Sequence, residues 1–492
     1  MSFSKRPNRT NAVTDSWPAR KVCFLLCMIC SSAFAQQPTV SLRYLLFDPV
    51  PIRVTPIEGD NSYTVTELSR LPDGEAVDLR SWLAQLTPAF TQLDQDTIER
   101  QLDYFNDTIE SVELSDGAFS PRLGQELQAQ GNALLQAGDI NGALVAFDRA
   151  AHIIRVNNGL FSLDQAPVIE DTIEAHLSRG DLISANEQQE YLYYLQQKSF
   201  GNTDPDQYLQ ALHSFAEWNL YAFNSNYYEI SRIANAASSE AINSLSFQAF
   251  RAQSLLKAQM LYMQIVDILT RGFGKSDPRL PEAEKALAVT SYLYLTNFDL
   301  AEDFASEQRP YDISMMPKNA LGSRMGKDAL ERRIVYLQNR PDTDPQTLTE
   351  ARLDLADWLL FSRKRTNSLE AMLLAYEGAV SSGLSGQALQ ALFAPPLPAI
   401  VPSFAHPRFS RAALKVPQDL ALDYHGYIDV DYFLNKYGQI RTAQVLGSSP
   451  GTPVEITERL MRNLRNAQFR PRIQDGALLE SDHITARFYY TY

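Results

Sequence analysis

The sequence predicts a mainly α protein: an α-solenoid of stacked helix pairs over residues 90–393, followed by a small α+β domain over 405–492. Three observations predict it. The stretch Leu127–Arg155 holds two amphipathic helices around Gly138-Asp139, with small and large apolar residues alternating at helical spacing. A second Gly-Asp turn, Gly180-Asp181, follows 42 residues later between two more such helices. The last part of the chain changes period and reads strand, strand, helix, strand.

Taken in order, the chain begins with Lys5, Arg6, Arg9, Arg20 and Lys21, then an uncharged run of 14 residues, Val22–Ala35, ending Ala33-Phe34-Ala35. This is the pattern of a secretory signal with an A-x-A cleavage site, and the run is short of the ~20 residues that a bilayer span needs. Residues 1–35 are therefore expected to be a signal peptide, and a retained membrane anchor is the alternative. All three cysteines (Cys23, Cys27, Cys30) lie in this segment, so the exported chain would carry no disulfide and no thiolate metal site. Its removal moves the net charge from −14 to −18, which argues against nucleic acid and against tight adhesion to anionic membranes.

Residues 36–89 hold two short β-prone runs, Val40–Phe47 and Ser62–Leu68, between prolines and Asp/Gly turns, and are expected to form a small strand segment of their own. A helix is expected over Asp94–Ile109. In the pair that follows, Leu127, Gly131 and Leu134 share one face of the first helix, and Ala143, Phe147 and Ala150 share one face of the second. Large residues fill the space between helices, and small ones stand where two backbones cross closely. This stretch resembles the tetratricopeptide repeat, and only Gln130, where an aliphatic is usual, departs from its principal positions. The resemblance implies neighbouring pairs stacked into a solenoid that presents surface for protein or peptide partners.

Ile169, Ile173 and Leu177 before Gly180-Asp181, and Ala185 and Leu192 after it, form the second pair, with a loop from Asn157 to Pro167 taking up the excess over the standard period. Helices are expected from Asp204-Pro205, over Ala241–Leu269 and over Pro281–Ala305, and a loop over Arg309–Gly326, where two prolines and two glycines occur. A last pair covers Ala351–Ser362 and Ser368–Ser381. Seven tyrosines between Tyr191 and Tyr228 either pack between helices or line a peptide-binding surface. Ala394–Phe404, with four prolines, reads as a short stiff spacer of about 30 Å.

In the C-terminal domain Ile428, Val430, Tyr432 and Leu434 alternate as a half-buried strand, Lys436-Tyr437-Gly438 turns into a second strand, and Ile456, Leu460, Leu464 and Ala467 share a helix face. A final strand places Ile484, Ala486, Phe488, Tyr490 and Tyr492 on one face. Gly438 in the hairpin, Ser448-Ser449-Pro450 before the helix, Phe469-Arg470-Pro471 after it and Asp475-Gly476 before the last strand give residues 405–492 a resemblance to the C-terminal domain of TonB. The resemblance implies binding by strand addition at the last strand, through Asp482, His483, Ile484, Thr485, Ala486, Arg487, Phe488, Tyr489 and Tyr490 as a partner-binding edge. A true TonB keeps an uncleaved N-terminal helix and a long Pro-rich linker, whereas this chain has a signal sequence and a short one.

Chemistry is sparsely signalled. Gly447-Ser448-Ser449-Pro450-Gly451 matches GxSxG between a strand and a helix, but Pro450 lacks the N–H that an oxyanion hole needs at that position. Gly274-Lys275-Ser276 ends like a phosphate-binding loop, yet Leu269 stands where that loop requires glycine. The six histidines show no ligand spacing. No catalytic residue, metal, cofactor or nucleotide is therefore expected. The reading is a periplasmic, non-enzymatic scaffold that binds envelope proteins through its repeats and its sheet edge; the alternative is a membrane-anchored TonB-like energy transducer acting on outer-membrane transporters.

Overall fold

A computed structural model describes residues 45–56, 63–69, 74–79, 81, 95–224, 240–297, 320–404, 416–417, 419–481 and 483–492. Among them the helices are α1 (Gln95–Asp116), α2 (Pro121–Gln136), α3 (Ile140–Asn158), α4 (Ala166–Ser178), α5 (Leu182–Phe200), α6 (Pro205–Asn224), α7 (Glu240–Ile268), α8 (Leu280–Thr296), α9 (Ala320–Gln338), α10 (Pro345–Phe361), α11 (Arg365–Ser381), α12 (Gly386–Phe393) and α13 (Val454–Asn466). The expected signal peptide lies outside the described residues. No helix among those described is long and apolar enough to cross a membrane.

Each Gly-Asp turn does two things. Gly138 (φ +82°) and Gly180 (φ +75°) adopt the left-handed conformation that ends α2 and α4. The following N–H groups of Asp139 and Asp181 reach back to the carbonyls of Leu134 and His176, each at 2.9 Å. The Asp139 carboxylate then accepts from Gly142 N–H (2.9 Å) and that of Asp181 from Ser184 N–H (3.0 Å), capping α3 and α5. The same turn closes α10, where Lys364 N–H donates to Leu359 O at 2.9 Å, but there Arg363 takes the left-handed position at φ +59°. A side chain in that conformation costs roughly 1–2 kcal/mol. Arg363→Gly is thus expected to stabilise the protein by about 1 kcal/mol in chemical denaturation; a lower midpoint would show that the arginine side chain earns more than its backbone strain.

The helix pairs interlock by small residues against large ones. Phe147 is fully buried, and a Cβ built on Gly131 would stand 2.4 Å from its ring. Leu127, Ala143 and Ala150 are buried in the same cluster, with Leu134 half-buried beside them. A second lock of this kind joins α9 to α10: Trp358 is fully buried, donates from Nε1 to Ser323 O at 3.1 Å, and would meet a Cβ on Gly326 at 2.3 Å. This corrects the loop expected over Arg309–Gly326, since α9 begins at Ala320 and Gly326 lies inside it. Glycine there admits an indole and does not break a helix. Residues 298–319 lie outside the described residues.

Arg333 of α9 and Asp354 of α10 form a buried pair, Nη1 to Oδ2 at 2.7 Å. Burial pushes the Asp354 carboxyl up to about 6, with Arg333 opposing. Folded Asp354 therefore keeps its proton between about pH 4 and 6, where the unfolded chain has released it, and the stability it contributes is lost as pH rises through that window. Asp354→Asn should remove this fall: the stability difference between parent and variant, measured in urea at pH 4.5 and 7, should change in the variant's favour at pH 7. A pH-independent difference would contradict it.

The C-terminal module is an antiparallel sheet with one helix, an α+β arrangement. Its five strands run in the order β2-β1-β7-β3-β4, with β1 Leu46–Pro56, β2 Tyr63–Glu67, β3 Gly426–Leu434, β4 Ile440–Ser448 and β7 Ile484–Thr491; β5 (Arg472–Gln474) and β6 (Ala477–Leu479) form a separate hairpin. Ile456, Leu460 and Leu464 of α13 pack on the inward residues of β3 and β7, and Phe47 of β1 belongs to the same core. Gly438 makes the β3–β4 turn at φ +71°, where any Cβ would strike Phe469 O at 1.9 Å.

Two expected boundaries change. Residues 36–89 are not a segment of their own in the part described: β1 pairs with β7 from Leu46↔Thr491 to Pro51↔Ala486, and Val77 bridges Leu422. The N-terminal strands complete the C-terminal sheet because Phe47 and Leu46 find apolar cores there. Nor is Ala394–Phe404 a spacer. Ala399 O accepts from Arg470 N–H and Val401 N–H donates to Gln468 O, both at 2.8 Å, while Leu397 and Ile400 pack on the sheet core. The segment is a seam, locked by Arg470, whose guanidinium donates to both oxygens of fully buried Asp357 of α10 at 2.9 and 2.7 Å.

Candidate partner-binding sites

The sheet edge comes first. Of the residues expected to form a docking edge, Asp482 lies outside the described residues. His483 Nδ1 sits 2.8 Å from Asp431 Oδ2. Ile484, Ala486, Phe488 and Tyr490 point into the core, and Thr485, Arg487 and Tyr489 lie on the opposite face. The structure corrects the expectation that this strand is an edge: β7 is paired on both sides, with β3 and with β1. The place that an added strand would take is filled by the chain's own residues 46–51.

Strand geometry explains how a proline-containing segment can do this. Leu68 N–H donates to Pro51 O, and Thr485 Oγ1 donates to Ile52 O at 2.6 Å. Main-chain groups of one residue in a strand point to one side, so odd-numbered residues of β1 face away from β7 and even-numbered ones face it. Pro49 and Pro51 thus lack their N–H on the outer side, where no ladder bond to β7 is lost. They also leave that outer side poor in donors for any further strand.

The hairpin partner β2 is anchored over the polar face of the sheet. Arg487 donates to both oxygens of Asp429 (2.8 and 2.9 Å), and its guanidinium lies 3.8 Å from the centroid of the Tyr427 ring. Glu67 of β2 accepts from Tyr489 Oη at 2.5 Å and from Arg487 at 3.5 Å. The bonds to Asp429 hold the Arg487 pKa above its ordinary value, and burial followed by the bond to Glu67 raises that of Tyr489. Burial, then the charge of Asp429, also raises the phenol of Tyr63, which reaches the Cβ position of Gly447.

The repeats present a different surface. Phe119, before α2, meets His152 of α3 at 6.0 Å between ring centroids, and Asn157 donates to Phe119 O at 3.0 Å. Val156, Leu160 and Phe161 follow, exposed, and Phe161 meets exposed Tyr194 of α5 edge-on at 5.9 Å. These side chains form an apolar ridge along successive helix pairs. Between the first helices of the two pairs, Asp171 of α4 accepts from Gln128 (2.6 Å) and Asn132 (3.1 Å) of α2. Burial, then the charge of Asp171, raises the Glu174 carboxyl.

Of the dense tyrosines, Tyr208 is buried, Tyr193 stacks on Phe215 at 4.5 Å, and Tyr191 donates to Gln165 Oε1 at 3.1 Å. These pack between helices, whereas Tyr194 joins the ridge; Tyr227 and Tyr228 lie outside the described residues. Sequence reading missed Phe119 and Phe161 because both lie in loops, where no periodicity marks them. Ser449 Oγ accepts from Tyr427 N–H at 3.0 Å and lies 2.9 Å from Thr452 Oγ1, so it fastens the turn after β4. Among the described residues no group of three or more His, Cys, Asp or Glu could hold a metal ion.

No family model and no curated protein matches the chain. Among solved structures there is a distant similarity to TPR-like repeat proteins. A kinesin light chain-like protein of Podosopora anserina with nearly identical TPR-like repeats is 14% identical, with 54% of this chain and 98% of that one covered and a TM-score of 0.30. BtubC (BKLC) from P. vanneervenii is 13% identical over 58% and 93%, with a TM-score of 0.28. Similarity this slight carries no partner or activity to this chain.

Proposed function

We propose that this protein is an exported, periplasmic, non-enzymatic scaffold that binds protein partners through its helical repeats, with a TonB-like C-terminal module that it caps with its own N-terminal strand. The observation that supports binding is the exposed ridge of Phe119, Val156, Leu160, Phe161 and Tyr194, since aromatic and aliphatic side chains left bare on a repeat array are the material of protein interfaces. Export rests on the leader pattern of residues 1–35. The transducer reading has less support, because it needs a free edge at β7 and β1 occupies that edge.

A photo-crosslinking residue placed at Phe161, in the protein expressed in its own cells, tests the proposal. A discrete crosslinked protein that disappears on Tyr194→Glu is expected, together with a periplasmic species whose mass begins at Gln36. Absence of any crosslink from positions 119, 161 and 194 would defeat the scaffold reading; a full-length species held in the membrane would defeat export.

A further inference from the structure

We propose that a basic face at the seam, where the turn between α10 and α11 meets the β3–β4 hairpin, binds an extended acidic segment of a partner protein. Arg363, Lys364 and Arg365 follow one another at the turn, and Lys436 stands in the hairpin. The Tyr437 ring joins the two: the Arg365 guanidinium lies 5.5 Å and Lys436 Nζ 5.4 Å from its centroid. Gln468 Nε2 donates to Tyr437 O at 2.9 Å, and Gln468 also lines a polar groove of about 590 Å³ together with Arg441 and Arg465. All six cations are exposed, and none is paired with a carboxylate among the described residues.

Local structure holds most of these charges against its own preferences. α11 starts at Arg365, its N-cap Lys364 makes no side-chain hydrogen bond, and its first turn has no acidic residue. Cations there meet the positive end of the helix, where a carboxylate would be favoured. Arg363 keeps the left-handed conformation that glycine takes in the two equivalent turns. Arg441 is the extra residue of a bulge, since Leu434 pairs with Ile440 and Phe433 with Thr442. Arg465, in the last turn of α13, is the one that sits at a helix end of the sign that suits it.

Like charges this close repel one another, and they are gathered here in an exported chain whose net charge is −18. An anionic partner relieves that repulsion, so charge complementarity identifies its chemistry. The groove selects among anions. A bilayer is flat, and its anionic headgroups would also meet the acidic remainder of the surface, whereas an extended chain can lie in the groove and follow the face to the start of α11. The bulge at Arg441 breaks the regular outer edge of β4, so side-chain charges and not an added strand hold the segment. This face shares no residue with the apolar ridge and does not depend on it.

Fluorescence anisotropy of the exported chain with a labelled peptide of alternating Glu and Ser, about 12 residues and so roughly 40 Å when extended, tests this. Binding is expected at low salt and should weaken as salt rises. Arg441→Glu with Arg465→Glu, and separately Arg365→Glu with Lys436→Glu, should each weaken it by about tenfold or more, with the helical signal unchanged because all four side chains are exposed. Arg122→Glu, on exposed α2 surface, and Tyr194→Glu, on the ridge, should leave it unaltered. No binding of the acidic peptide at low salt, equal binding of the matching Gln and Ser peptide, unchanged binding by both double variants, or an equal loss with Arg122→Glu would overturn the proposal. Capture by phosphatidylglycerol vesicles without binding of the peptide would overturn it in favour of a membrane surface.

Discussion

Phe147→Ala is expected to lower the stability of the repeats by about 3–5 kcal/mol, the cost of losing a large side chain from a site that cannot collapse. The site cannot collapse because its walls are themselves small. Gly131 lies against the ring, Ala143 and Ala150 stand on the same helix face, and none of the three has atoms to move into the space. Leu127 and Leu135 are each nearly fully buried in the same cluster, so they too are already committed. The helical signal should melt at a clearly lower denaturant concentration. An unchanged midpoint would mean that α2 and α3 are not locked through this ring.

Asp357→Ala is expected to cost a similar amount, about 3–5 kcal/mol, by a different route. Asp357 is completely buried, accepts both guanidinium donors of Arg470, and also accepts from Ser403 N–H at 3.1 Å. Its removal leaves the largely buried Arg470 guanidinium with only Ser403 Oγ as an acceptor and the Ser403 N–H with none, at the seam where helical repeats and sheet module meet. The same physics predicts that Asp357→Leu combined with Arg470→Met recovers most of the loss, because no charge then remains to be desolvated. If the single variant were as stable as the parent, the seam would be open to water and the two modules would be loosely joined.

Much of this architecture is legible in the sequence where local chemistry repeats itself. Gly138-Asp139 and Gly180-Asp181 announce their turns because glycine and a capping aspartate are both required. The third turn of that geometry is silent, since Arg363 occupies the left-handed position against its preference. Gly326 misleads for the converse reason: it marks a close approach by Trp358, and composition alone cannot tell a packing glycine from a breaking one.

The largest revision concerns residues 46–51. Pro49 and Pro51 argue against a paired strand when read locally, and only the position of the partner strand shows that both rings face away from the ladder. A contact between residues more than 400 positions apart leaves no periodic trace. The alternation of Ile484, Ala486, Phe488 and Tyr490 marks Ile484–Thr491 as a strand, while nothing in that pattern marks its neighbour β1.

Closure of the sheet by the chain itself, which leaves partner binding to the repeats, is tested most directly by hydrogen exchange resolved to single amides of β7 in the full chain. The register directs the N–H groups of Ala486, Phe488 and Tyr490 to β3 and those of Arg487, Tyr489 and Thr491 to β1. Comparable, strong protection of the two alternating sets is the predicted result. Rapid exchange at Arg487, Tyr489 and Thr491, with protection retained at the other three, would contradict the account: β7 would then offer a free edge, and strand addition would become the leading mode of binding.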